Sequence, residues 1–164
     1  MTESELAAYG KTRRLHQIGI VVKDLDSTVE AWRALYGVEP WTFMEFSHEN
    51  LKEVRGDGKA YQKGFHFRIA AAYVGETQIE LIEANETMPM YQEFLEQTGG
   101  GLHHFKERVP NEEMEATLVE YERNGCRTIF GGKFHNISFY YIDTKEKLGF
   151  NLEIGNCEKL DTSR

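Results

Sequence analysis

The sequence has few cysteines, no long apolar run and fewer basic than acidic residues. Its two cysteines, Cys126 and Cys157, form no Cys-x-x-Cys pair, so neither a zinc knuckle nor a redox motif is indicated. No segment approaches the ~20 apolar residues of a membrane span, and residues 1–14 lack the apolar centre of a signal peptide. The net charge of −8 argues against binding to a nucleic-acid backbone. We therefore expect a cytoplasmic protein that binds neither nucleic acid nor a membrane.

The apolar content is sufficient for a packed interior. Of 164 residues, 40% are hydrophobic and 12% aromatic, enough for one compact domain or for two small modules that share a core. Apolar alternation predicts a first strand in LHQIGIVV, and a helix follows with Asp24 or Asp26 as its N-cap and Gly37 at its end. The charged, glycine-rich stretch HENLKEVRGDGKAYQKG is predicted as a loop. FHFRIAAAYVG and QIELIEA then read as two strands of a hairpin.

The same order of elements recurs in the second half of the chain. After the helix-like MYQEFLEQ, LHHFKERV is predicted as a strand, Asn111 as a cap, and a helix ends at Asn124 and Gly125. RTIF, NISFYYID and FNLEIG follow as strands, with a turn at TKEKLG. The fold class is therefore α+β, a single domain over 1–164 with two tandem βαβββ modules at about 14–85 and 100–157. A linking helix at about 88–98, a polar arm at 1–13 and a tail at 158–164 complete it.

Four polar residues interrupt the apolar pattern of predicted strands: Gln17, Glu80, His104 and Glu153. In each case the next residue is apolar and is expected to face the helices, so the polar side chain faces the opposite side of the sheet. Strand parity therefore selects Gln17 rather than its neighbour His16 for that side. An amide, an imidazole and two carboxylates suit an octahedral divalent ion. The alternative is four ordinary polar residues on the solvated face of an antiparallel sheet.

Segments across the chain resemble the vicinal oxygen chelate superfamily of glyoxalases, methylmalonyl-CoA epimerases, extradiol dioxygenases and bleomycin-resistance proteins. They are QIGIVVKDLD, QIELIEA, EFLEQTGGGLHH and KEKLGFNLEIG. The third is similar to the epimerase branch, where a helix and a glycine-rich turn precede a His-His strand. The resemblance implies a cupped mixed sheet of paired βαβββ modules around one divalent metal, with helices outside. Relatives are commonly dimers, so we expect a homodimer.

The resemblance also implies which residues hold the metal. Its ligands fall on Gln17, Glu80, His104 and Glu153, leaving His103 on the helix side or at the strand entrance. This set resembles glyoxalase I more than the extradiol dioxygenases, which bind Fe(II) with two histidines and one carboxylate. The cofactor implied by the resemblance is one divalent ion: Co, Mn, Ni, Zn or Mg.

The isomerase branches of the superfamily remove a proton beside a carbonyl that the metal polarises. By this resemblance Glu153 is the first candidate for the base. The second catalytic glutamate of methylmalonyl-CoA epimerases falls around Gly64–Phe67, where no carboxylate is present; His66 is the nearest replacement, or an ordinary strand histidine. Lys106 and Arg108 share the parity of His104. A lysine there could bind an acidic substrate group or lower the pKa of a phenol or enol, or else lie exposed and pair with acids.

These inferences predict a metal-dependent epimerase or racemase of a small molecule, with Glu153, His66 and Lys106 as catalytic candidates. The substrate would be an acyl-CoA-like thioester or an aromatic ketone such as an isoflavanone. A glyoxalase I-like lactoylglutathione lyase is the enzymatic alternative. A non-catalytic small-molecule-binding module is the alternative outside enzymes, and a dioxygenase is least favoured by the ligands.

Overall fold

The structure, a computed structural model, describes residues 2–56 and 64–157. Within these residues nine strands form one sheet. The strands are β1 Leu15–Val22, β2 Thr42–Ser47, β3 Lys52–Gly56, β4 His66–Val74, β5 Thr77–Glu83, β6 Gly101–Arg108, β7 Thr128–Phe134, β8 Ile137–Ile142 and β9 Asn151–Gly155. The helices are α1 Glu3–Thr12, α2 Leu25–Tyr36, α3 Pro89–Thr98, α4 Asn111–Arg123 and α5 Lys145–Leu148. The polar arm thus contains a helix of ten residues.

The two halves of the chain meet at the centre of the sheet. The strand order is β2-β4-β5-β1-β6-β9-β8-β7-β3. β1 pairs in parallel with β5 and antiparallel with β6, and β6 pairs in parallel with β9. Apart from β3, each half contributes one βαβββ module, as expected. The central strands β5, β1, β6 and β9 are those that carry the four predicted metal ligands.

The sheet is curled because its two edge strands, β2 and β3, follow each other directly in the chain. β2 and β3 lie at opposite ends of the strand order, yet only residues 48–51 separate them. Four residues can bridge no more than ~20 Å. The rings of Phe46 in β2 and Phe134 in β7 accordingly lie 5.0 Å apart between centroids. The sheet therefore forms a cup, and β3 fastens one edge to the other.

The prediction of a loop over HENLKEVRGDGKAYQKG was wrong where β3 lies. All five residues of this strand are exposed, so they show no alternation of apolar and polar residues. Its pairing with β7 is a contact with the other module, which local sequence does not reveal. Residues 57–63 of the predicted loop fall outside the described residues.

Helix boundaries follow local capping chemistry. Asp24 rather than Asp26 caps α2, because its Oδ1 accepts a hydrogen bond from the Ser27 amide at 2.8 Å. Gly37 ends α2 in the left-handed conformation with φ 66°. The prediction of Asn111 as a cap was wrong, since Pro110 occupies that position. The predicted turn at TKEKLG contains the single helical turn α5.

The helices and the cup enclose different parts of the core. α2 packs Leu25 and Val29 against strands of the first module, and α4 packs Met114 and Leu118 against strands of the second. The concave face holds a largely aromatic cluster with Phe46, Phe67, Phe130, Phe139 and Tyr141. None of the described helices is long and apolar enough to cross a membrane. One face of the sheet is thus sealed by helices, and the other surrounds a site.

Candidate metal centre

The sheet brings all four predicted ligands together on the concave face. Gln17, His104 and Glu153 are 2% exposed or less, and Glu80 is 8% exposed. Gly19 of β1 is the register partner of both Glu80 and His104, which places these two on either side of the central strand. Because the side chains are buried, they are not the solvated polar residues that the alternative interpretation requires.

Their functional atoms converge on one point. His104 Nε2 lies 2.8 Å from Glu153 Oε2 and 3.6 Å from Glu80 Oε2. The ligand atoms of these three residues all lie within 4.8 Å of one another. Gln17 Nε2 donates to Glu80 Oε1 at 3.2 Å and to Gln78 Oε1 at 2.5 Å. An amide, an imidazole and two carboxylates therefore surround a common volume.

Three buried atoms of this cluster make no hydrogen bond of good geometry: Gln17 Oε1, and His104 Nε2 and Glu153 Oε2, which face each other at 2.8 Å as an ion pair. Buried polar atoms without partners are costly and are rare in native proteins. All three have lone pairs that can bind a cation. Two carboxylates also neutralise a divalent charge in a buried site. The residues present therefore fit a divalent metal ion.

Neighbouring residues hold the His104 ring in place. A Cβ atom at Gly19 would lie only 1.9 Å from His104 Cε1, so the ring fills the space that this glycine leaves open. His103 Nδ1 lies 3.2 Å from His104 Nδ1, and its ring packs against Tyr91 and Phe94. Burial, then the charge of His104, lowers the pKa of His103 to about 3. A neutral His103 can accept a hydrogen bond from the N–H at His104 Nδ1, which leaves His104 Nε2 as the ligand atom.

Lys106 lies beside this cluster, on the concave face as its parity predicts. Its side chain is 6% exposed, and Nζ lies 2.6 Å from Glu153 Oε1. A Cβ atom at Gly155 would come within 2.7 Å of Lys106 Cε, so this glycine makes room for the lysine. Glu153 therefore directs Oε2 to His104 and Oε1 to Lys106. Arg108, by contrast, is exposed.

The two carboxylates experience opposite electrostatic environments. Burial, followed by the charge of Glu153, raises the pKa of Glu80 to about 7. Burial also acts to raise the pKa of Glu153, but Lys106 and His104 outweigh it and lower the pKa to about 2. Burial acts to lower the pKa of Lys106, but the carboxylates of Glu153 and Glu80 raise it above its usual value. Glu153 and Lys106 therefore form a charged pair at neutral pH.

A cavity in the cup opens onto this cluster. Its internal free volume is only about 30 Å³, within about 450 Å³ of unfilled space that includes solvent at its mouth. Its polar lining comprises Gln17, Gln78, Glu80, Lys106, Glu153 and Cys157, and its other lining residues are Met44, Phe46, Phe67, Ile69, Ile137, Phe139 and Tyr141. Sequence reasoning missed Gln78. The available signal was its position two residues before Glu80, which puts it on the same face of β5.

The structure does not bring His66 to the site. Its side chain is 51% exposed, and Nε2 lies 3.8 Å from Glu45 Oε2. Phe67 and Ile69 of the same strand line the cavity, so His66 points to the opposite face of β4. The epimerase resemblance pointed to a strand that does line the cavity, but the alternation of side chains along β4 places His66 on its other face.

Gln17 and His16 provide a direct test of the ligand assignment. We expect Gln17→Ala to weaken divalent-metal affinity by ~10-fold or more, because it removes a buried oxygen ligand. His16→Ala, the matched control from the adjacent position, should change the affinity by less than about twofold. Competition against a chromophoric chelator measures both values. Weakened binding in His16→Ala with normal binding in Gln17→Ala would shift the frame of β1 by one residue.

The two βαβββ modules share one buried cluster of amide, imidazole and carboxylate groups. This combination defines a class of α+β folds built around a candidate metal site. The chain belongs to the Glyoxalase/Bleomycin resistance protein/Dioxygenase superfamily, whose profile matches residues 16–141. This membership confirms the resemblance found in the sequence. No curated protein sequence matches the chain.

Several solved structures share this fold. A hypothetical protein, BH1468 from Bacillus halodurans C-125, aligns with TM-score 0.62 at 19% identity over 91% of this chain and 97% of its own. Methylmalonyl-CoA epimerase from Mycobacterium tuberculosis aligns with TM-score 0.59 at 21% identity over 86% and 85%. A Streptomyces coelicolor methylmalonyl-CoA epimerase in complex with 2-nitronate-propionyl-CoA gives 0.60 at 21% over 87% and 92%. At these identities the likeness establishes the fold alone.

Proposed function

We propose that the protein is a metal-dependent epimerase or racemase that moves a proton at a carbon α to a carbonyl. The observation that carries this proposal is the convergence of buried amide, imidazole and carboxylate ligand atoms, which borders a cavity with aromatic lining. With its internal free volume of about 30 Å³, the cavity would admit a small molecule only once the lining side chains move apart, and the surrounding apolar residues would then exclude bulk water from the reacting carbon. The cytoplasmic location and the homodimer expected from the sequence remain part of the proposal.

Four residues would hold the ion: Gln17, Glu80, His104 and Glu153. The ion would supply a Lewis acid for the substrate carbonyl oxygen, where negative charge develops as the proton leaves. Glu153 accepts that proton in the proposal, since its carboxylate borders the cavity; its pKa of about 2 makes it a weaker base than Glu80, whose pKa is raised to about 7. Lys106 fixes the position of this carboxylate through Oε1. His66 has no role, because it lies outside the cavity.

The proposed substrates are an acyl-CoA-like thioester or an aromatic ketone. A glyoxalase I-like lyase is the second candidate, supported by the amide oxygen of Gln17 among the prospective ligands. Both reactions begin with removal of a proton next to a carbonyl, so the same cavity would serve either. They differ in the substrate and in where the proton returns.

Hydrogen exchange in D₂O tests proton abstraction without knowledge of the product. The metal-loaded protein would be incubated with acyl-CoA thioesters, 2-oxo acids and aryl ketones, and NMR would follow the α-hydrogen signal. We expect loss of this signal for at least one compound class, and no loss without the protein. Retention of every α-hydrogen would refute the isomerase. Conversion of the glutathione–methylglyoxal hemithioacetal would favour the lyase, whereas ligand binding without metal or exchange would favour a binding module.

A further inference from the structure

The charge of the cavity, taken with the apolar character of its walls, restricts the substrate that it can accept. This inference rests on the proposed function and concerns the chemical class of the substrate. Its evidence is the Lys106 ammonium, which is buried at the inner end of the cavity beside the metal ligands.

Lys106 has donors to spare inside the cavity. An ammonium group carries three N–H donors. Among the described residues, Glu153 is the acid within ion-pair distance of Nζ, and it contacts Nζ through one oxygen. The lysine also lines the cavity, so it borders the space that a ligand would enter. A bound molecule with an anionic group can therefore occupy the remaining donors.

The sum of charges favours an anion as well. Glu80 and Glu153 together balance a divalent ion held by the cluster, because each carboxylate contributes one negative charge. With Lys106 paired to Glu153, the ion, the two carboxylates and the ammonium together carry one net positive charge in a buried site. A net charge in a buried site is costly, and a bound anion would remove that cost. A neutral substrate would leave the cost in place.

The apolar lining of the cavity is suited to an apolar part of a ligand. The rings of Phe46 and Phe67 are stacked with centroids 5.1 Å apart, and Phe139 meets Phe46 edge to face at 5.6 Å. All three line the cavity with Met44 and Ile69. Aromatic surfaces of this kind pack well against a flat ring. The cavity therefore has one cationic end and one aromatic side.

We propose that the substrate is an aromatic acid, whose carboxylate pairs with Lys106 and whose ring packs against Phe46, Phe67 and Phe139. Lys106 is then the specificity-determining residue for the charge of the substrate. The charge and the cavity lining favour an aromatic 2-oxo acid over a neutral aromatic ketone.

A non-reactive pair of probes tests this assignment by binding alone. Benzoylformate is an aromatic 2-oxo acid without a hydrogen on the carbon next to its ketone, and its methyl ester is the neutral counterpart. Isothermal titration calorimetry on the metal-loaded protein should show the acid binding at least ~10-fold more tightly than the ester. Lys106→Met should weaken acid binding by roughly 10- to 100-fold and change ester binding by less than about twofold.

Two further variants keep the test specific. Lys106→Gln retains a polar side chain with hydrogen-bond donors but lacks the charge, so it should also lose the preference for the acid. Lys133→Met is the matched control, because this strand lysine pairs with Glu53 on the surface, 2.7 Å away. Its preference for the acid should be unchanged. Elemental analysis of each variant separates lost anion binding from lost metal.

The outcomes distinguish this inference from the proposed function. Equal affinity for acid and ester, no binding of the acid, or an acid preference that survives both Lys106 substitutions would overturn the inference. Lys106-dependent binding of the acid without hydrogen exchange on any enolisable compound would uphold the inference and refute the isomerase. Equal exchange of neutral ketones and 2-oxo acids would uphold the isomerase and refute the inference.

Discussion

The Glu153→Gln protein should lose roughly 10³-fold of the hydrogen-exchange rate, the range typical for removal of a general base. The amide has nearly the same shape as the carboxylate but cannot accept the proton. Glu153 is 2% exposed and lies between His104 and Lys106, so no solvent-borne base can easily replace it. Single-turnover exchange measured by NMR at saturating metal would give the rate.

Glu107→Gln is the matched control for this substitution. Glu107 is also buried on a central strand, but it pairs with Arg13 and does not line the cavity. We expect its exchange rate to stay within about threefold of the wild type, because the reacting groups are untouched. A Glu153→Gln protein that keeps its metal and its full rate would remove Glu153 from the role of base.

The His104→Ala protein should lose at least ~100-fold in divalent-metal affinity, more than is typical for loss of an outer-shell group. His104 is the only nitrogen ligand in the predicted set and is 0% exposed. Its removal also leaves the Glu80 and Glu153 carboxylates facing each other across an empty space. Elemental analysis after dialysis would measure the retained metal. The rise in unfolding temperature on metal addition provides a second measure, because a ligand stabilises the state that binds it.

Two further variants serve as controls for the His104→Ala result. His104→Leu retains much of the side-chain volume but has no ligand atom, so it distinguishes loss of a ligand from collapse of the cavity. His66→Ala removes an exposed histidine outside the cavity and should leave both metal content and exchange rate unchanged. Normal metal content in both His104 variants would show that the ion is held by other residues.

Strand parity predicted that four polar residues share the concave face, because burial on one face of a strand constrains every second residue. Gln17, Glu80, His104 and Glu153 each stand out against apolar neighbours, and the structure places all four in one cluster. Parity also places Lys106 in the cavity, but it does not separate His103 from His104, because a register shift between β1 and β6 brings both rings against Tyr141. The same rule applied to β4 would have excluded His66, and applied to β5 would have found Gln78.

Other features depend on contacts that local sequence does not contain. The exposed residues of β3 have no periodicity, and the strand exists because β7 presents an edge to it. The match of Gly19 to the His104 ring, and of Gly155 to the Lys106 stem, requires knowledge of which strands are neighbours. The separation of the Glu80 and Glu153 pKa values likewise depends on distances between strands that are remote in sequence.

The strap from β2 to β3 determines how the cup can move. If both edges of a curled sheet were free, the two modules could move apart about the central strands β1 and β6. Here a link of only four residues ties those edges together, and opening would require breaking the β3–β7 hydrogen bonds. The two halves of the cup are thus linked at both the centre and the edges of the sheet, and they cannot simply separate. Molecules would enter through rearrangement of side chains at the rim, and the size of that opening would act as a filter independent of the metal chemistry.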